Sequence, residues 1–413
     1  MFRPAITWAL FAACGGLAPA QPEPAVPLLT EVARAPAAEA ARRRIDSARV
    51  RVEASGRLAD PEVEAMGSRI NADAMGENRD MWEVSLRQPL PRRGERAADR
   101  ERAAAGVTMA EADFAMTVAD LAADVAMALA EADGADEKAR LLEQQIGRLA
   151  AALQSLDTRL ASGLPARVAD RLTVQSRLAS LQLAVAEVRR TAENARAEAR
   201  SRIGLDPANG LPAFSAPAVI DIRPAETSSV ALASARVAEA NAMGRMARAS
   251  ANPMTAVGLR FERERSSMGN QDTVGLAVSS EIPWRTRRYA RAESRAAELA
   301  RTAAQSDADA ARHRTTGVIS RVERAERVAA TARRLAADTQ ARLDAEHDSL
   351  NRAISAGAAA GMGGDSAVLH AIDILDKSTE LQMQIIEAEI AVRVARAELW
   401  RHVPAVRILR LAH

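Results

Sequence analysis

Asp373 and Asp376 stand three residues apart in the run AIDILDKSTEL, residues 371–381. On a helix that spacing puts both carboxylates on one face. Two such groups attract cations and repel anions, although most pairs of this kind are plain solvated surface. His370 precedes Asp373 by three residues, near enough for a weak metal contact; a lone surface imidazole is the commoner role. The other histidines, His313, His347, His402 and His413, are scattered, with no H-E-x-x-H motif among them. The chain has no G-x-S-x-G elbow, no phosphate-binding loop and no dinucleotide fingerprint. Gly361, Gly363 and Gly364 lie in an alanine-rich stretch rather than between a strand and a lysine, so they read as a flexible turn. Cys14 is the one cysteine, which excludes an internal disulfide and a Cys-based metal site. These residue types predict no catalytic constellation, no resident metal, no cofactor, and so no enzyme.

The elements that must position the two aspartates are long helices. Of 413 residues 48% are hydrophobic but only 2% aromatic, and alanine supplies most of the apolar count. Such a chain favours helices with narrow apolar seams over a large aromatic core. The net charge is +2, with both signs interspersed, which fits solvated helix faces and argues against a nucleic-acid partner. Nearly every basic residue is arginine; the lysines are Lys138 and Lys377. The N-terminus, MFRPAITWALFAACGGLAPA, carries one arginine, a short apolar core and small residues, as a secretory signal over 1–20 would. Ala18-Pro19-Ala20 fits ordinary cleavage, and FAAC (11–14) fits a lipoprotein signal that would lipidate Cys14; both stay open. No apolar run of roughly 18 residues is present to make a spanning helix.

The chain repeats itself. Pro61 and Pro91 recur as Pro253 and Pro283, both at an offset of 192 residues, within ADPEVEAMGSRI against ANPMTAVGLRF. NARAEAR (194–200) recurs as VARAELW (394–400) at an offset of 200, so the second copy gains about eight residues in between, most plausibly in AISAGAAAGMGGDS, 353–366. The division is 21–204 for the first repeat, 205–226 for a proline-rich linker, 227–404 for the second repeat and 405–413 for a tail. Each repeat predicts a short helix (about 30–58 and 227–250), then two extended segments, a long helix, a turn and a returning long helix. Trp82, Val84 and Leu86 alternate with Glu83, Ser85 and Arg87; Val257, Leu259 and Phe261 alternate with Gly258, Arg260 and Glu262. Period two puts one set on each face of a sheet. The extended segments are 61–70, 81–90, 253–264 and 273–282. Leu142, Ile146, Leu149, Leu153, Leu156 and Leu160 step by four and three, as do Leu178, Leu181, Val185, Val188, Ala192, Ala195 and Ala199. That is a coiled-coil seam, with the returning helix as its partner.

Two copies of strand, strand, long helix, turn, long helix resemble the TolC-like outer membrane factor family of Gram-negative bacteria. GRLADPEVEA, VSLRQPLPRRGER and SSEIPWRTRRYARAE carry the resemblance at the strand-to-helix junctions, and lean to the branch serving cation and drug efflux. The fold implied is mainly α with a small β part: a homotrimer with a twelve-stranded β-barrel in the outer membrane lipid and a coiled-coil tunnel in the periplasm. The implied function is a passive gated duct, working with a periplasmic adaptor and an inner-membrane pump in efflux or type I secretion. Four strands alone cannot close a barrel, and open edges are not tolerated in lipid. For the barrel girdle the chain offers Trp82, Phe261, Trp284 and Tyr289. AIDILDKSTEL resembles the family's gate segment, so Asp373 and Asp376 would ring the tunnel as six carboxylates, with Thr173 and Ser176 in the equivalent positions of the first repeat. The resemblance likewise puts Gly163, Leu164, Pro165, Gly363, Gly364 and Asp365 at tips facing the adaptor, and Pro89, Pro91, Pro283 and Trp284 where strand becomes helix. Proline there would end a ladder and start a helix without needing its N–H.

A second class of protein shares the signal and the heptads: a periplasmic coiled-coil adaptor or spacer without a barrel. The strand pair before each helical hairpin separates the two, because an adaptor carries one hairpin between small β domains.

Overall fold

The structure, a computed structural model, describes residues 27–71, 78–162, 167–206, 210–211, 219–266, 269–281, 284–355 and 367–411. Cys14 and both processing sites, the tip residues Gly163, Leu164, Pro165, Gly363, Gly364 and Asp365, and Pro283 lie outside them. The elements run α1 (Pro27–Val32), α2 (Pro36–Ala54), β1 (Glu62–Asn71), β2 (Asn78–Leu90), α3 (Glu95–Ala161) and α4 (Val168–Ile203). After a short turn of helix at Val219–Asp221 come α5 (Ser228–Ser250), β3 (Thr255–Ser266), β4 (Gly269–Ser280), α6 (Thr286–Ser355), α7 (Ala367–Glu398) and α8 (Ala405–Leu409). The four extended segments are strands, shifted by a few residues. The first short helix is corrected: Pro36, at the start of α2, splits it, and α1 is a separate turn and a half.

The strands form one antiparallel sheet in the order β1-β2-β3-β4, so β2 and β3 join the two halves of the chain. Register aligns the alternation across all four strands. Val63, Leu86, Leu259 and Leu276 make one row; Ala65, Val84, Phe261 and Val274 make the next. The opposite face carries Glu64, Ser85, Arg260 and Gly275 in one row and Met66, Glu83, Glu262 and Thr273 in another. Among the described residues nothing packs on the apolar face: Val63, Leu259, Val274 and Leu276 are exposed.

Alanine, arginine and glutamate carry α3 for 67 residues and α6 for 70, each on the order of 100 Å long. The shorter helices lie along them in two tiers. Near the sheet, α2 packs on α3 and α5 packs on both α3 and α6; farther away, α4 packs on α3 and α7 packs on both α3 and α6. Where the tiers meet, α4 ends at Gly204 in the left-handed region (φ 69°), and a Cβ there would lie 3.0 Å from Pro36 Cδ at the start of α2. Leu142, Leu149 and Leu156 of α3 are buried against Val174, Leu181 and Val185 of α4, so the heptad seam closes with the returning helix. The largest core lies at the junction of the tiers, where Phe114, Val118, Val125, Trp400, Leu399 and Ile408 pack with Leu28, Val32 and Ile45. Among the described residues, no helix is long and apolar enough to cross a membrane.

Each strand is joined to one helix: α2 to β1, β2 to α3, α5 to β3 and β4 to α6. The helix order near the sheet, α2-α3-α5-α6, therefore repeats the strand order. Farther out the order is α4-α3-α7-α6.

Candidate functional site

In the outer tier, α4 and α7 flank α3 and bring the two repeats' equivalent positions together. Thr173, Ser176 and Asp376 line one surface groove of about 610 Å³, with Leu172, Arg177 and Ile372. Asp376 is turned into this groove. Arg177 Nη2 of α4 lies 3.1 Å from its Oδ2, and Gln145 Nε2 of α3 donates to its Oδ1 at 3.1 Å. Gln145 is itself buried in the leucine seam. A carboxylate held by two other helices ties three elements at one point.

Asp373 differs. It is exposed and pairs along its own helix with Lys377, at 2.6 Å. The hydrogen bond to Asp373, with its charge second, raises the Lys377 ammonium above the ordinary lysine value. His370 Nε2 lies 3.2 Å from Glu346 Oε1 on α6. Among the described residues no cluster of three or more metal-ligating side chains exists. Thr173 bonds back to the Ala169 carbonyl at 2.9 Å, and Ser176 is exposed. The two aspartates thus share a helix but not an environment. Arg177, Gln145 and Lys377 were missed from sequence. A glutamine one residue before Ile146 in a leucine seam, and a lysine in an arginine-rich chain, were the available signals.

At the strand-to-helix junction, Pro89 lies inside β2, opposite Ala256, where β1 no longer pairs; its missing N–H interrupts no ladder there. The expectation that proline starts the helix is corrected. The strand ends at Leu90, Pro91 follows, and α3 begins after Gly94, which caps it in the left-handed region at φ 83°. Arg92 N–H then donates to Glu95 Oε2 at 2.7 Å. Arg92 also pairs with Glu281 at 2.9 Å, and Asn252 Nδ2 donates to the Arg93 carbonyl at 2.9 Å, so the two repeats' junctions are pinned to each other. Trp284 is exposed just before α6.

The geometry defines a class: a sheet with one bare apolar face and one charged face, continued strand by strand into a helical layer about 100 Å long, as in outer-membrane channels. Residues 30–205 match the model of the family described as outer membrane efflux protein. The fold is that of solved outer-membrane proteins. A membrane protein from Pseudomonas aeruginosa is 19% identical, with TM-score 0.66, covering 91% of this chain and 89% of that one. The open-state MtrE outer membrane channel of Neisseria gonorrhoeae is 17% identical, with TM-score 0.64 and coverages of 91% and 88%. The Campylobacter jejuni CmeC outer membrane channel is 11% identical, with TM-score 0.65 and coverages of 92% and 84%. No curated protein sequence matches the chain. The likeness to the outer membrane efflux protein family is carried by the first half of the chain, residues 30–205.

Proposed function

We propose that three copies of this chain close a twelve-stranded barrel continued by a helical tunnel, and that the assembly is the passive exit duct of a tripartite efflux or type I secretion system. The observation carrying this reading is the matched pair of open edges. Among the described residues β1 and β4 pair on one side only, and the helical layer is bounded by α2 and α4 on one side and α6 on the other. Four strands cannot close on themselves, and lipid does not tolerate free ladder edges. A second copy set beside the first satisfies the strand and helix edges together. The apolar face then meets lipid and the charged face lines the lumen. On that face Glu62, Glu64, Glu83, Glu262 and Glu264 outnumber Arg87 and Arg260, which favours passage of cations.

The gate is part of the proposal. Asp373 and Asp376 of α7, with Thr173 and Ser176 of α4, would ring the narrow end, and Asp376 bound to Arg177 and Gln145 would latch the closed form. Opening would slide α4 and α7 against α3 and break that latch. The repeat division at 21–204 and 227–404, the adaptor-facing tips, the pump and adaptor partners, and lipidation or removal of Cys14 belong to the same reading. The adaptor alternative is disfavoured by a strand pair in each repeat.

The protein is expected to fractionate with the outer membrane and to need detergent for extraction; recovery from the soluble periplasm overturns the duct. In planar bilayers, Asp373→Ala with Asp376→Ala should raise the conductance of the purified assembly and abolish any block by divalent cations. If neither changes, the gate assignment fails while the duct stands.

A further inference from the structure

We propose that the end of the sheet farthest from the helices binds the phosphate of an outer-leaflet glycolipid. The proposal rests on the membrane reading above. All four strands join their helices at one end, so the paired strand ends Asn71–Asn78 and Ser266–Gly269 lie at the other, which in an outer-membrane barrel is the cell exterior.

There the apolar face changes character within one register step. Trp82 pairs with Arg263, and Asp80 with Arg265, directly beyond the row of Val84 and Phe261. A groove of about 290 Å³ runs over this boundary, lined by Trp82, Val84 and Phe261 on one side and by Asp80, Arg263 and Arg265 on the other. Arg263 is fixed: it makes a bidentate pair with Asp272 at 2.7 and 2.8 Å, and its guanidinium lies 5.8 Å from the Phe261 ring centre. Asp80 is shared with Arg69 at 3.4 Å. Arg265 has no carboxylate partner among the described residues, and three guanidiniums face two carboxylates on this patch.

A guanidinium with no carboxylate partner among the described residues, at the rim of a lipid-facing surface, calls for an anion. Guanidinium is the side chain best matched to phosphate oxygens. The floor of the groove takes an acyl chain, Trp82 sits where interfacial tryptophans do, and Asp80 can accept a sugar hydroxyl. A ligand with a phosphate, a sugar and acyl chains at one depth fits all four features. The exterior leaflet is the source the orientation selects.

The test uses the full-length protein extracted in mild detergent and native mass spectrometry against bisphosphorylated lipid A, the same lipid dephosphorylated, and phosphatidylglycerol as competitor. The phosphorylated lipid should be retained, with Arg265→Gln lowering retention about tenfold and Arg265→Lys lowering it less, as loss of one charge-assisted contact predicts. Equal retention of phosphorylated and dephosphorylated lipid by the wild-type protein overturns the proposal whether or not the variants assemble. Equal competition by phosphatidylglycerol overturns the glycolipid assignment. Unchanged retention by Arg265→Gln, in protein still found in the outer membrane, removes the site alone; absence of the wild-type protein from that fraction removes the duct reading beneath it.

Discussion

The sheet and the helical layer have the same element order and opposite places for their apolar residues. In the sheet, Leu259, Val274 and Leu276 face outward from a single layer and are exposed among the described residues. In the helical layer, Leu149, Leu156, Val174 and Phe114 are buried within the protomer. The helical seams close within the single chain, whereas the sheet's apolar face finds no cover among the described residues. Period-two rows exposed on one face need an apolar solvent, whereas heptad seams need only the neighbouring helix. The same contrast appears in the polar groups. The helices are cross-linked by ion pairs such as Lys138–Glu387, Arg333–Glu389 and Arg196–Asp136, while the charged sheet face carries Arg260–Glu83 and Arg87–Glu64.

The strongest way to break this comparison is a charge on the bare face. Leu259→Arg should cost about 2–4 kcal/mol per copy if that face meets lipid, repeated in every subunit of an assembly. Loss of outer-membrane insertion, read by fractionation and by heat-modifiable mobility, is the expected outcome; Arg260→Gln on the opposite face should leave insertion intact. Normal insertion of Leu259→Arg would mean the apolar face is not a lipid face. Next in size is a cavity in the helical layer. Leu149→Ala removes a fully buried side chain from the α3–α4 seam and should cost ~2–5 kcal/mol. Protease cleavage should speed up in the outer tier while the sheet still inserts, which would separate the two regions' sources of stability.

How far the sequence foretold each region follows from the range of the forces involved. The strands were legible because alternation in Trp82–Leu86 and Val257–Glu262 is a local property. The seam was legible because its partner helix is the next element in the chain. The insertion of about eight residues in the second repeat was placed in 353–366, most of which lies outside the described residues. What remained hidden is long-range or conformational. Asp376 meets Gln145 across 231 residues, and nothing in AIDILDKSTEL says that one aspartate turns inward and its neighbour outward. The helix start after β2 was misread because it depends on a left-handed Gly94 and the Glu95 carboxylate, not on the two prolines. The split between α1 and α2 was written in Pro36 and passed over.

A smaller effect sharpens how the helical layer is packed. Gly134 of α3 sits where a Cβ would overlap the Ile390 side chain of α7. Ile390 would have to change rotamer or the helices part, so Gly134→Ala should cost roughly 1–3 kcal/mol despite alanine's better helix propensity. Hydrogen exchange should rise in α7 near Ile390 and not in the sheet. A variant as stable as the parent would mean that α3 and α7 are free to separate, and that the two repeats are held together chiefly at the junctions and the sheet.

The smallest effect concerns His402, a partly buried titratable group of the helical layer. His402 sits between α7 and α8 with Nδ1 2.9 Å from Thr315 Oγ1 of α6. Burial first, and then the positive charges of Arg401, Arg321 and Arg314, lower it from 6.5 to about 4. The folded state therefore prefers neutral imidazole. Unfolding at pH between about 4 and 6.5 takes up a proton, so this contribution is whole above 6.5 and is lost as pH falls through that window. Unscreened, a shift of this size is worth about 3 kcal/mol; with the ring partly open to water, ~1–2 kcal/mol is the expected loss. Detergent-solubilised protein should unfold more easily at pH 4.5 than at pH 7, and His402→Gln should flatten that difference without moving the pH 7 value by as much. The sheet contains no histidine, so its insertion should not follow the same curve. If instead sheet and helical layer lose stability together over this range, the layer's core and the sheet are one cooperative unit, and the division between a region packed within the chain and one whose apolar face is bare does not hold.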